Sequence, residues 1–214
     1  MPEPLPLPTI PEAASPFAAE AFVPDDALAA WVRDTLIAEG APLLNRDHAH
    51  LDAADLAFLW TQSPCRVRGK VVVGRAHLGE PQGSDDWLKG LKRDHLTRLF
   101  GRVPDFYIVL STGFAMDRLR EGDEGAVLAL IEHELYHCAQ DHVPGFPGIP
   151  RFTADGRPKW RMRPHDVEQF VGVTRRYGPQ GPAERAMAEA AERGPTVARA
   201  SYAGVCGTCA AAFL

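Results

Sequence analysis

The sequence predicts an α+β fold, a small mixed sheet packed against helices, and three observations predict it. Two short apolar runs, Val71-Val72-Val73 and Phe106-Tyr107-Ile108-Val109-Leu110, read as strands. Several longer segments repeat apolar residues at three- and four-residue spacing, the period of a helix buried on one face. The second strand is followed, after a polar entry, by an apolar helix carrying His133-Glu134-Leu135-Tyr136-His137.

The bulk numbers narrow the class. A chain of 214 residues, 45% hydrophobic, can build one sizeable core plus tails. A net charge of −5 leaves no electrostatic footprint for nucleic acid, a disfavoured partner. No apolar run approaches the ~18–20 residues of a membrane span, and the proline-rich start lacks a basic region followed by an apolar one. A cytoplasmic protein without membrane association is expected. Four cysteines in a chain this long make no disulfide framework, and Cys65 and Cys138 are expected as small core residues.

Residues 1–24 are expected as a proline-rich tail, with six prolines in the first sixteen positions and no regular structure. The domain proper is expected over 25–178. It starts with a helix from Asp25, where Leu28, Trp31, Val32, Thr35 and Leu36 keep helical spacing and Gly40 is a stop. A second helix is expected over Asp52 to Thr61, ended by Ser63-Pro64, with His48 and His50 before it as surface or capping residues. Arg66 to Ala76 is expected as one strand. Asp85 to Phe100 reads as a helix turning Trp87, Leu88, Leu91, Leu96 and Leu99 inward, and His77 and His95 read as structural. After the strand at 106–110, Asp117 to Gly125 reads as a polar entry with Asp123 as N-cap, and the next helix as Glu124 to Gln140. A loop rich in Pro and Gly follows over 141–164, with a hairpin turning at Asp155-Gly156. A last helix is expected from His165 to Tyr177, stopped by Gly178. Residues 179–214 are expected as a C-terminal tail.

The chemistry centres on H-E-L-Y-H. Residues four apart lie about one helical turn apart, so His133 and His137 project from one face and can share a zinc ion. Glu134 follows the first of them and can take a proton from the metal-bound water, the base role of a metalloprotease. A buried helix strengthens the metal reading, because buried histidines need partners.

A catalytic zinc takes three protein ligands and an open position. The extended H-E-x-x-H-x-x-G-x-x-H spacing is absent, with Gln140 and Val143 at its last two marked positions. His165 is the favoured third ligand; Glu168, three residues on, and His142 are the alternatives. Asp166 and Glu168 could instead hold a ligand's second N–H. Tyr177, Tyr136, His142 and Arg175 are candidates to stabilise an oxyanion.

The segments G-R-A, F-Y-I-V-L-S, A-L-I-E-H-E-L-Y-H-C and P-H-D-V-E-Q-F-V-G-V-T-R-R-Y-G resemble a metallopeptidase family found in bacteriophages and prophages. That family is distantly similar to the SprT-like zinc proteases. The similarity spans roughly Asp47 to Gly178. It implies a zincin-like fold, zinc at His133, His137 and His165, and Glu134 as catalytic base. By analogy with zincins, the strand at Val71 to Ala76 could offer an edge to an extended peptide.

Cys206-Gly207-Thr208-Cys209 is half of a zinc knuckle without a second half, read as an inert tail or a metal shared across a dimer. Three function classes follow. The first is a zinc metallopeptidase acting on a protein or peptide. The second is a non-catalytic interaction protein stabilised by zinc, and the third a zinc hydrolase of a non-peptide amide. A carboxylate next to a ligand favours the enzymes.

Overall fold

The computed structural model describes residues 7–14, 21–67, 69–81, 85–167, 174, 177–179, 181–196 and 205–206. The fold is α+β around one mixed sheet. Its strands are β1 (Phe22–Pro24), β2 (Leu56–Thr61), β3 (Arg66–Val67), β4 (Lys70–Leu78), β5 (Phe106–Ser111) and β10 (Val205–Cys206). The order is β1-β2-β5-β4-β10, with β3 hairpinned onto β4. Among these described strands, the β2/β5 and β4/β10 pairs are parallel and the others antiparallel.

Helix α1 (Asp26–Val32) opens where Asp25 accepts a hydrogen bond from Leu28 N and another from Trp60 Nε1 of β2, both at 2.8 Å. It continues as a π-helical turn over Arg33–Ile37, and Leu28, Val32, Thr35 and Leu36 are buried as expected. It ends at an extended Ala38, two residues before Gly40, whose φ is +83°.

The helix expected over 52–61 is corrected. Arg46–Ala53 is a 3-10 helix capped by Asn45, and Leu56–Thr61 is strand β2. Leu56 to Trp60 are all buried, because β2 lies between β1 and β5 with both faces covered. Such a strand reads as a continuous apolar run, which periodicity alone does not separate from a buried helix. The strand expected over 66–76 is a hairpin, broken at Gly69 in a left-handed conformation (φ +77°).

Helix α2 (Asp86–Phe100) is capped by Asp85 and ends at Gly101. Its expected inward face is corrected: Leu96 is buried, but Trp87 is 90% and Leu91 66% exposed. Strand β5 alternates, with Phe106, Ile108 and Leu110 in the core. The first part of the polar entry, residues 117–120, lies in helix α3 (Thr112–Arg120), where Ser111 Oγ caps the turn by accepting from Phe114 N.

Helix α4 (Glu124–Tyr136) is capped by Asp123, as expected, and buries Val127, Leu130, Ile131 and Leu135. It stops four residues before the expected Gln140, since Cys138–Gln140 forms strand β6. β6 pairs antiparallel with β9 (Trp160–Met162), in register Cys138↔Met162 to Gln140↔Trp160. Between them, the expected loop holds β7 (His142–Val143), β8 (Phe146–Pro150) and a Phe152–Pro158 bridge turning through Gly156. The hairpin at Asp155-Gly156 is thus present.

Residues 165–167 are not helical, contrary to expectation. The expected helix otherwise falls mostly on positions outside the described residues, apart from helical Thr174 and Tyr177. Gly178 N donates to the Thr174 carbonyl with φ +75°, a helix stop. Both expected tails carry structure. Ala14 is buried, and Leu7 and Ile10 pack on the core. Helix α5 spans Pro182–Arg193, and β10 lies on β4. Cys65 is exposed rather than buried, whereas Cys138 is buried.

Candidate metal centre

The apolar face of α4 fixes its roll against the sheet, which sets where its polar residues emerge. His133 lies in the last turn and His137 is the C-cap residue. The β6/β9 ladder then returns the chain so that residues 163–165 run alongside that helix end. Arg163 N donates to the His137 carbonyl at 2.8 Å, and His137 Nδ1 donates to the Arg163 carbonyl at 2.6 Å. This reciprocal pair holds His165 next to the two helical imidazoles.

One ligand atom from each of His133, His137 and His165 falls within 4.8 Å of the others. Nε2 of His133 and Nε2 of His165 are 3.2 Å apart, and the ring centroids are separated by 5.1–5.2 Å. Two nitrogens on one tetrahedral metal at 2.0–2.1 Å would be about 3.3–3.4 Å apart, so the spacing fits a shared metal ion. The carbonyl of Arg163 can only accept, which puts the His137 proton on Nδ1 and makes Nε2 the lone-pair nitrogen. Burial and the two neighbouring imidazoles push the His133 pKa down to about 4. Burial also lowers that of His137, against its carbonyl hydrogen bond. Both rings are therefore neutral near pH 7, the form a metal requires.

A cleft of about 400 Å³ opens over the cluster, lined among others by Tyr136, Arg163, Pro164, Val167 and Met187 of α5. Glu134 is not among the described residues that line the cleft: it is 0% exposed, with Oε2 accepting from Ala76 N of β4 at 2.9 Å. Gly74 makes that approach possible, since a Cβ there would sit 2.8 Å from Leu130 Cδ1 and 2.9 Å from Glu134 Oε1.

His142 is in β7 and outside the histidine cluster; Glu168 and Arg175 lie outside the described residues. Asp166 pairs with Arg163 rather than with a histidine. Tyr136 donates its hydroxyl proton to Asp47 (2.9 Å) and accepts from Asn45 (3.1 Å), so its proton points away from any oxyanion. The edge of β4 at Val72 and Gly74 is paired with the chain's own β10. Cys206 lies in that strand, and Cys209 outside the described residues.

A brace around α4 has no signal in the sequence. His48, expected at the surface, is fully buried with its ring 4.5 Å from Tyr136. His50 Nε2 donates to the Cys138 carbonyl (2.8 Å), and Asn45 to Glu132 (3.0 Å). These bonds grip positions 132, 136 and 138, the flanks of both helical imidazoles. Asn45-Arg46-Asp47 has the form of a helix cap, but nothing in it foretells a contact 90 residues on. The Arg163 carbonyl was equally hidden, being a backbone group.

Among the described residues no helix is long and apolar enough to cross a membrane. No curated protein and no solved structure matches the chain. The sequence profile of the family described as putative phage metallopeptidase matches residues 29–192, well over half of the chain. A peptidase family whose members use a metal agrees with a histidine cluster able to hold one, and the chain belongs to this phage metallopeptidase family.

Proposed function

We propose that this protein is a zinc-dependent peptidase of zincin-like architecture, working in the cytoplasm, with His133, His137 and His165 as the metal ligands and Glu134 as the base. The observation that carries the reading is the approach of three imidazoles, two from one helix turn and one delivered by the β6/β9 ladder. Three nitrogen donors without a thiolate fit a catalytic rather than a closed structural zinc.

Zinc, when bound, would polarise a peptide carbonyl and acidify a water molecule. The chain's own part is to hold the ligands neutral, to orient His137 through the Arg163 carbonyl, and to move a proton. Glu134 would take the proton of the attacking water and hand it to the leaving amine. For that its carboxylate must turn from Ala76 N towards the cluster. Arg163, on the cleft wall, would serve developing negative charge by leaving its ion pair with Asp166.

A second reading has one observation in its favour. The burial of Glu134 against β4 suits a structural carboxylate in a non-catalytic, zinc-stabilised interaction protein. Glu134→Gln separates the two. The peptidase reading expects about one zinc per chain by elemental analysis, with casein or peptide-library hydrolysis reduced by at least about a hundredfold. Unchanged hydrolysis in that variant would remove Glu134 from the mechanism. His165→Ala should lose the zinc; retention would move the third ligand to Glu168 or His142.

A further inference from the structure

The sheet has a second face. Position 74 faces α4, so by strand alternation Arg75 and His77 face the other way. There they border a groove of about 260 Å³ between β1, β2, β5, β4 and the link at residues 63–65. Among the described residues, none that lines it is acidic.

Arg75 is the unusual member. It is half-buried, and its Nε is sealed from solvent with no hydrogen-bond partner. Arg33, Arg93, Arg102, Arg151 and Arg163 each pair with a carboxylate. Arg46, Arg66 and Arg161 are exposed to water instead. Arg75 has neither arrangement, and a sealed guanidinium N–H without an acceptor is costly. The charged groups that bear on His77, next to it, are Arg75 and Lys92, both cations. The groove is therefore electropositive on a protein of net charge −5.

Its polar and apolar parts are segregated. Ser111 Oγ accepts from Phe114 N (3.3 Å), which leaves the hydroxyl proton to donate. Phe22, Pro64, Val73 and Val109 supply apolar wall.

We propose that this groove binds an organic carboxylate, its head on the Arg75 guanidinium and the Ser111 hydroxyl and its apolar body along Phe22, Pro64 and Val109. The head chemistry is shared by a free small acid and by the C-terminal carboxylate of a peptide ending in an apolar residue. The site lies on the sheet face opposite α4 and stands independently of the zinc reading.

Calorimetric titration of the full chain tests it, with hexanoate, N-acetyl-leucine, N-acetyl-leucinamide and acetate as probes. Hexanoate or N-acetyl-leucine should bind with a Kd in the millimolar range or tighter. Acetate and the uncharged amide should bind at least about tenfold more weakly, since each lacks one of the two parts. Tighter hexanoate names a small acid as the source; tighter N-acetyl-leucine names a peptide terminus. Arg75→Gln should weaken binding about ten- to a hundredfold, the loss of a charge-assisted hydrogen bond. Val109→Trp, which fills the groove and leaves the guanidinium in place, should abolish binding and carries the test if Arg75→Gln fails to fold. Absence of carboxylate binding in the wild type, or equal affinity in a folded variant, overturns the proposal.

Discussion

Gly74 shows how much one missing side chain can decide. The α4 surface at Leu130 and Glu134 presses against β4 closely enough that a methyl group there meets both. Gly74→Ala should therefore cost about 1–3 kcal/mol, as overpacking does, measured by urea unfolding of the metal-free protein. It should also displace the Glu134 carboxylate, so on the peptidase reading kcat falls while zinc content holds. Tyr136 is a second such residue, its hydroxyl bonded to Asp47 and Asn45. Tyr136→Phe should lose about 0.5–1.5 kcal/mol by the same measurement, with one zinc per chain retained. Loss of zinc would mean that the brace, and not only the ligands, sets the metal site.

Among the elements, α4 is governed by its two ends. Asp123 accepts from Ala126 N at 3.1 Å, and Asp123→Ala should remove about 1 kcal/mol of stability, read as a lower urea midpoint with unchanged slope. That cap was legible; Asp25 and Asp85, read as helix starts, prove to cap their helices in the same way, each accepting an early N–H. Strand β5 was legible as a short apolar run set off by Val103-Pro104-Asp105 before it and Ser111-Thr112-Gly113 after it. Leu56 to Trp60 were not, because a strand buried on both faces carries no alternation and Asp52-Ala53-Ala54-Asp55 runs into it without a turn signal. Helix α2 misled in the opposite sense. Its apolar residues keep helical spacing, yet Trp87 and Leu91 face solvent, and spacing cannot say what stands opposite. In the site, His133 and His137 were legible from one helix turn, and His165 only as one of three choices, since its approach depends on the pairing of β6 with β9.

For the molecule as a whole, buried imidazoles tie stability to pH. Burial holds His48, His77 and His133 at about 4 in the folded state, below the 6.5 of an unfolded chain. Between those values the unfolded chain binds more protons, so stability falls as pH drops from about 6.5 to about 4 and is flat above that window. Thermal unfolding in chelator should show Tm declining through this range, and a flat Tm would contradict the burial of these rings. Zinc binds only the neutral, assembled cluster, so at pH 7 it should raise Tm and at pH 4 it should not. The β6/β9 ladder has one more consequence. Gln140 pairs with Trp160, and Asp141 N donates to the Lys159 carbonyl at 2.7 Å, so the chain between them leaves and re-enters at a clasped neck. Length added at the exposed Asp155-Gly156 tip is insulated by that neck from the imidazoles. A peptide tag or a small domain can be grafted there and the grip on the metal kept, which makes the tip the natural handle for tethering this protein to a surface or a reporter.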